Sequence, residues 1–330
     1  MTTTVATRRL TGLQPTGELH LGNLLGAIAP MIRDQYTTDS TVFLADLHAL
    51  TVAHEPRTLR ETTLRQATVL LAAGLDPDRT LFYVQSQVSD HAELHYLLEC
   101  TTAYGEAHRM VQFKEKAGDR QNVRLSLLTY PVMQASDILL HDATQVPVGD
   151  DQRQHVELTR DIAIRFNRRY GATFVVPEVV TPTVAARVMD LANPTAKMGK
   201  STSSASGAIG LLDPPEQVTR KISRAVTDSD GIIAYDPVIR PGVSNLLEIL
   251  AACVGGSPAE VGADLRGYGE LKRATTEAVL GLLRPLQSRY ETLSRDPGYV
   301  RGVLAEGAER ARARTADTVF RAKRAIGVLT

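Results

Sequence analysis

Three short stretches hold residue types that handle phosphate and ribose. The first is GLQPTGELHLGN, residues 12–23, with glycines at 12, 17 and 22 and a histidine at 20. A strand-like run, RRLTGL, precedes it and an apolar helix-like run extends to Tyr36, starting from His20 or Leu21. Strand, glycine-rich turn and helix is the layout in which backbone N–H groups and the positive helix end face an anion. It is not a Walker A loop, because Gly17 is followed by Glu18 and Leu19 rather than by Lys and Ser or Thr. The glycines also stand too far apart for the dinucleotide fingerprint. What is left is a phosphate site of a third kind, with His20 and Asn23 donating at the helix start. An ordinary N-terminal cap uses the same groups.

In the second stretch, VPVGDDQ (residues 146–152), a short apolar strand ends at Gly149 and a helix follows. Glycine lets a ligand approach the backbone, and Asp150 or Asp151 could accept hydrogen bonds from a ribose. Plain capping again accounts for the same residues. The third stretch, KMGKS (residues 197–201), places Lys197 and Lys200 in a loop where they could neutralise charge building up at phosphorus. A solvated basic loop has the same composition. A fourth stretch, LTYPVMQASDILLHDA, carries Asp137 inside an apolar helical run beside Met133, Gln134 and Leu140. A carboxylate in that setting is costly unless donors satisfy it, and the alternative is an exposed stripe. The neighbours favour burial.

Other candidates carry less. His91 and His95 lie four apart in DHAELHYLL, but lack a third metal-ligand cluster and the HExxH order, so an exposed helix face is expected. Lys114 and Lys116 lie in a charged run, QFKEKAGDR, that reads as solvated. No Ser-His-Asp or reactive-cysteine arrangement can be read from spacing.

The elements that must position these residues alternate up to about Pro177. Strands are expected at RRLTGL, at residues 40–46, 80–86, 144–148 and 173–177, with amphipathic helices between them such as TLRETTLRQATVLLAAG. Alternation at these lengths implies a parallel sheet covered on both faces, with ligands at the C-terminal strand ends near a switch point. From about Asp190 the strand signal fades. Helices are expected from Asp213-Pro-Pro onward, over residues 269–295 and over 299–326, after the Gly/Ser/Thr-rich segment NPTAKMGKSTSSASG. The chain has 330 residues, a formal net charge of zero and two cysteines, Cys100 and Cys253. A nucleic-acid partner would therefore need local basic patches such as RKISR or the arginines of ERARARTADTVFRAKRA. A disulfide scaffold is excluded, and without a signal peptide or membrane span a cytoplasmic protein is expected.

The order of these motifs is more specific than any one of them. PTGELHLGN, VPVGDDQ and AKMGKS together resemble class I aminoacyl-tRNA synthetases, the first like the HIGH signature and the last like KMSKS. GLQPTGELHLGNLLGAI, ADLHALT, GEAHRMVQFKEKAG, LLTYPVMQASDILL, VPVGDDQRQHVELTRDIAIRFNRRYG and AVTDSDG narrow the resemblance to the tryptophanyl-tRNA synthetases, from about Leu10 onward. The resemblance implies a Rossmann-type doubly wound parallel sheet with a smaller all-helical domain. Its expected divisions are 1–189 for catalysis, 190–286 for the anticodon, and 287–330 for a helix packing back on the catalytic domain. It implies activation of L-tryptophan by ATP, with Mg2+ held through the phosphates and no dedicated metal site, then transfer to tRNA(Trp) by a homodimer. Gln14, Pro15, Thr16, Gly22 and Asn23, with His20, would surround ATP, together with Gly149, Asp150, Asp151, Val188 and the loop Lys197, Met198, Gly199, Lys200 and Ser201. Leu10, Gly12, His48, Tyr130, Gln134, Asp137, Val146, Val148 and Gln152 would form the tryptophan pocket, with Asp137 accepting the indole N–H. Catalysis would come from positioning and electrostatics, chiefly by His20, Asn23, Lys197 and Lys200, because the attacking carboxylate is already ionised.

The sequence departs from the family at Gly199, usually Ser, and at Leu10, Gln134 and Leu47, where members carry Phe, Met and in some cases Gln. Both lysines remain, so altered loop energetics are expected rather than lost chemistry. Two other functions would use similar parts: a paralogue passing the adenylate to a small nucleophile, and a non-catalytic nucleotide-binding regulator. Retention of His20, Asn23, Lys197 and Lys200 argues against the regulator.

Overall fold

The computed structural model describes residues 7–117, 123–180, 188–199 and 206–330. Lys200 and Ser201, and the side chains of Lys116, Asp150 and Asp151, lie outside the described residues. Five strands, β1 (Arg8–Leu13), β2 (Asp39–Leu44), β3 (Thr80–Val84), β4 (Gln145–Pro147) and β5 (Glu178–Val180), form one sheet in the order β3-β2-β1-β4-β5. All four pairings are parallel. Every residue of β3 is buried, as expected of a strand sheltered on both faces.

The order reverses between β1 and β4. Those strands share a single register pair, Arg9↔Gln145, where β1 and β2 share six. Beyond that pair the C-terminal ends of β1 and β4 part, and a crevice opens at the switch point.

The run after the glycine loop is not one uniform helix to Tyr36. It comprises α1 (Leu21–Asn23), a π-helical turn (Leu24–Ile28) and α2 (Ala29–Asp34). The Ala29 N–H reaches five residues back to the Leu24 carbonyl, just before Pro30, which has no N–H to continue the α-helical ladder. The fifth strand also lies later than expected. TFVVP, residues 173–177, has strand composition, but the Thr173 and Phe174 N–H groups donate to Asn167 Oδ1 and the Phe174 carbonyl accepts from Asn167 Nδ2. Phe174 packs edge-on against Phe166 at 4.7 Å, and pairing begins only after Pro177.

Helices α3 (Asp46–Ala49), α4 (Pro56–Ala73), α5 (Asp90–Glu99), α6 (Tyr104–His108), α7 (Val111–Ala117), α8 (Leu125–Leu140) and α9 (Asp150–Tyr170) connect the strands. The later part comprises α10 (Pro215–Ser223), α11 (Pro241–Val254), α12 (Pro258–Gly262), α13 (Tyr268–Ser294) and α14 (Pro297–Ile326). The expected boundary at residue 286 falls inside α13, which continues unbroken through Pro285. α14 lies against β3 so closely that a Cβ on Gly307 would stand 1.7 Å from the Phe82 carbonyl oxygen.

One buried cluster joins sheet and helices, running from Leu21, Ile28, Val42 and Leu70 to Leu246, Leu271, Val279 and Leu283. Each such side chain stabilises by roughly 1.5–3 kcal/mol relative to an exposed one, so the later helices share the core of the sheet region. A second cluster surrounds the crevice: Leu10, Phe43, Tyr83, Ile138, Val146 and Val156, closed from below by Ala308 and Ala311 of α14.

Candidate active site

The crevice between β1 and β4 holds a cavity of about 270 Å³. Its walls are Leu10, Thr11 and Gly12 of β1, Val146, Pro147 and Val148 at the end of β4, His48 of α3, Gln152 of α9, and one face of α8. That face comprises Leu127, Tyr130, Gln134, Asp137 and Ile138, whose spacing of three and four residues brings them to one side of a helix. The cavity therefore gathers every residue expected for the amino-acid pocket, and adds Thr11, Phe43, Ala45, Thr51, Leu127, Ile138 and Pro147. Its volume falls just below the usual range of ligand pockets, roughly 300–1,000 Å³, a size suited to a single amino acid.

Asp137 is 2% exposed, and both of its carboxylate oxygens are hydrogen-bonded. Its Oδ1 accepts from Gln85 Nε2 and from His91 Nδ1, each at 2.7 Å, and its Oδ2 meets His48 Nε2 at 2.7 Å. Burial alone would raise its pKa, but the hydrogen bonds and electrostatic attraction of His48, then His91, hold the carboxyl well below the usual carboxylate range. The site thus keeps an anion at its apolar back wall. The expectation that His91 lies on an exposed helix face is incorrect: the ring is completely buried and bonded at both nitrogens, with Tyr83 Oη 2.8 Å from Nε2.

Two histidine contacts shape the wall where α8 meets α9. Tyr130 Oη lies 3.0 Å from His155 Nε2, and His155 Nδ1 lies 2.9 Å from Gln152 Oε1. This buried imidazole thereby fixes a phenol and an amide that both line the cavity. The His48 backbone carbonyl accepts from Gln14 Nε2 at 3.0 Å, linking the first loop to the pocket wall.

Of the residues expected around a nucleotide, Gln14 lines this cavity itself, and Gly149 directly follows its β4 wall. His20 is buried at the start of α1, and its backbone N–H donates to Asn23 Oδ1 at 3.1 Å. A Cβ on Gly22 would sit 3.1 Å from His20 Nδ1 and 3.6 Å from Val188 Cβ, so a larger residue there would press on the buried imidazole. The Val188 carbonyl accepts from the N–H of Met198, whose side chain is buried, while Lys197 is exposed and bridges backbone to backbone with Met189. Leu21 donates to the Ile209 carbonyl and Leu211 to the Leu19 carbonyl. These bonds tie the chain that follows KMGKS to the start of α1, and Leu21, Val188, Met198 and Ile209 share one buried cluster, which brings the first and third motifs together. Pro15 is buried and Thr16 half-buried in the turn between them, Gly199 is half-buried, and Gly149 is the exposed N-cap of α9. Thr11, Pro147 and Val148 also wall a second cavity of about 350 Å³, with Gly149 at its edge.

Three important residues, Gln85, Tyr83 and His155, were not singled out from the sequence, and His91 was placed on the wrong face of its helix. Gln85 had one usable signal, a polar residue directly after the C-terminal end of a strand, where ligands gather. The arginines expected to offer nucleic-acid contacts on α14 are largely engaged at home. Arg310 and Arg312 donate to the carbonyls of Pro77 and Gln87, Arg314 pairs with Asp39, and Arg321 bonds Thr173, Asp142 and Asp317. In RKISR, Lys221 is taken by Asp213, while Arg220 and Arg224 are exposed. Among the described residues no group of three or more His, Cys, Asp or Glu could hold a metal ion, and no helix is long and apolar enough to cross a membrane.

Residues 2–284 match the family model described as tRNA synthetases class I (W and Y). The chain is 55% identical over 327 residues to tryptophan--tRNA ligase 1 of Streptomyces avermitilis, covering 98% of this chain and 99% of that one. A crystal structure of tryptophanyl-tRNA synthetase from Mycoplasma pneumoniae superposes with a TM-score of 0.90 at 37% identity, covering 98% and 99% of the two chains. That of Campylobacter jejuni, complexed with ADP and tryptophan, superposes with a TM-score of 0.85 at 32% identity, covering 98% and 100%.

Proposed function

The chain belongs to the class I tRNA synthetases of the W and Y type, and we propose from that premise that it activates L-tryptophan with ATP and transfers it to tRNA(Trp). The observation that carries this reading is the buried, ionised Asp137 at the back of a cavity sized for one amino acid. An indole N–H donates to its open acceptor position. A side chain without such a donor would leave that anion unmet, a loss that can reach ~10⁵ in discrimination where a site is built around one hydrogen bond.

In the first step an oxygen of the tryptophan carboxylate attacks the α-phosphorus of ATP. The bond to the bridging oxygen breaks, and pyrophosphate leaves from tryptophanyl-adenylate. Gln14, Pro15, Thr16, His20, Gly22 and Asn23 hold the phosphates and adenosine from the α1 side. Gly149, Asp150, Asp151 and Val188 hold the ribose and base, and Lys197, Met198, Gly199, Lys200 and Ser201 bind the triphosphate. The two lysines stabilise the charge that grows on the leaving group. Mg2+ carried on the triphosphate would supply further neutralisation of that charge beside the two lysines. In the second step a terminal ribose hydroxyl of the tRNA attacks the acyl carbon and AMP leaves. We assign the protein to the cytoplasm as a homodimer. Exposed Tyr96, Tyr104, Val111 and Leu125 on α5 to α8 support pairing through that side.

Tryptophan-dependent pyrophosphate exchange and charging of total tRNA test the reading. Because the chain contains no tryptophan, indole fluorescence reports the bound substrate directly. Asp137→Ala is expected to remove exchange while leaving ATP binding within about two-fold, since it strips the indole acceptor alone. Unchanged exchange in that variant would refute the role of Asp137. Exchange without charging would transfer the site to a different acceptor, and neither activity would refute the proposal.

A further inference from the structure

A carboxylate offers about four lone-pair positions, and the partners of Asp137 account for three of them. Gln85 and His91 fill Oδ1, and His48 takes one position on Oδ2. The fourth is therefore on Oδ2, the oxygen bonded to His48, which lines the cavity together with Asp137. Gln85 and His91 do not line the cavity; they reach Asp137 from behind, from the end of β3 and from α5.

Behind His91 the bonds continue. Its Nε2 lies 2.8 Å from Tyr83 Oη, which lies 2.7 Å from His141 Nε2. His141 Nδ1 is buried without a hydrogen-bond partner. With neutral imidazoles only one set of donors fits this series. An ionised Asp137 requires N–H at His91 Nδ1, so His91 Nε2 presents a lone pair. Tyr83 O–H must donate to it, and the Tyr83 oxygen then accepts from His141 Nε2–H. The series ends in an unmet acceptor at His141. Running it backwards would need an added proton on His91 and would strand a buried N–H, the rarer defect in folded proteins.

The rings are also held sterically. Phe43 stacks on Tyr83 at 5.8 Å and packs against His91 at 5.5 Å. A Cβ on Gly12 would stand 2.8 Å from Phe43 Cζ, so this stack reaches the β1 edge of the cavity. Ser136 Oγ donates to the His91 carbonyl at 2.7 Å, fixing the backbone of α5 to α8 beside Asp137.

We propose that the buried series His141–Tyr83–His91 is a specificity-determining positioning device: it commits Oδ1 of Asp137 from behind and aims the open position of Oδ2 at the substrate's ring N–H. The discrimination between tryptophan and a side chain lacking that N–H is then set partly by residues that never touch substrate. This rests on the reading that Asp137 receives the indole N–H.

The test compares tryptophan with 3-(benzothiophen-3-yl)alanine, in which sulfur replaces the ring N–H, by steady-state pyrophosphate exchange. The wild-type protein must prefer tryptophan, and Asp137→Asn must lose that preference; failure of either defeats the reading of Asp137 itself. Given both, Tyr83→Phe and His91→Leu are expected to raise KM for tryptophan about ten-fold, the effect of losing one buried hydrogen bond. KM for ATP and the kinetics with the sulfur analogue should stay within about two-fold, because neither depends on the Oδ2 acceptor. His91→Asn restores a donor near the Nδ1 position and should recover most of the preference. Thermal unfolding identifies variants that fail to fold, and if His91→Leu is one of them, Tyr83→Phe and His91→Asn still decide. Parallel losses with both substrates, or a preference unchanged in Tyr83→Phe, would overturn the proposal.

Discussion

A histidine kept neutral by its surroundings makes stability depend on pH. Burial holds the His141 imidazole well below its ordinary value of 6.5; His91, Arg314 and Arg8 push the same way, and Asp137 opposes them. The unfolded chain takes up a proton there below about pH 6.5 while the folded chain does not, so stability falls as the pH drops through that value. Urea titrations should show a slope of up to about 1.4 kcal/mol per pH unit from this group, flattened in His141→Gln. His95, also lowered by burial, supplies a remainder that the variant keeps. A total slope identical in the two proteins would exclude His141 as its source. Asp137 has the opposite charge type but the same direction: its depressed pKa contributes stability above the ordinary carboxylate range, lost only as the pH falls further still. Asp137 was legible as a buried acid because its helical neighbours are apolar. His91 was not, since its chain neighbours Asp90 and Glu93 look solvent-facing and its partners lie 8 and 46 residues away.

Helix α14 carries its own control for close packing. At Gly307→Ala the new methyl would overlap the Phe82 carbonyl, so α14 must lift from β3, at a cost of about 1–3 kcal/mol for overpacking. At Gly302→Ala, on the same helix, nothing lies within 4 Å, and a gain of about 0.5–1 kcal/mol is expected from helix propensity. Denaturation midpoints moving in the same direction for both would contradict this packing. A second contact joins α11 to the lysine loop: Asn245, 3% exposed, donates to the Met189 carbonyl at 3.0 Å and accepts its N–H at 2.8 Å. Asn245→Ala leaves both groups unmet, costing about 1–3 kcal/mol. It should lower kcat for exchange more than it raises KM for tryptophan, because Met189 pairs with Lys197 and not with the pocket. At this scale four strands could be read to within two residues from β-branched and aromatic runs between turn residues. The fifth could not, because TFVVP has strand composition while its backbone groups are claimed by Asn167, a competition that composition does not record.

Zero net charge leaves RNA contacts to local surfaces, and the structure divides the candidate arginines between packing and solvent. Arg310→Ala and Arg312→Ala remove bonds from α14 to the sheet region and should lower stability by about 0.5–1.5 kcal/mol each, with KM for tRNA unchanged. Arg220 and Arg224 face solvent on α10, and their replacement should weaken charging with a reduced salt dependence and no loss of stability. Equal effects on charging from both pairs would reverse the division. The sheet, its switch point and the relation of the three motifs were readable from alternation and motif order. The engagement of α14 was not, because an arginine-rich helix looks alike whether it faces carbonyls or water.

Protein synthesis meets this architecture in an awkward order. A ribosome that has delivered residues up to 296 has already supplied every side chain lining both crevice cavities, yet Ala308 and Ala311, which complete the cluster around Tyr83 and Phe43, are still to come. Until they arrive, β3 has one bare side and Tyr83 no floor to rest on. Recognition of the substrate is thus finished by a segment that contributes nothing to the pocket lining, and a nascent chain arrested before α14 would hold the whole constellation without the means to aim it.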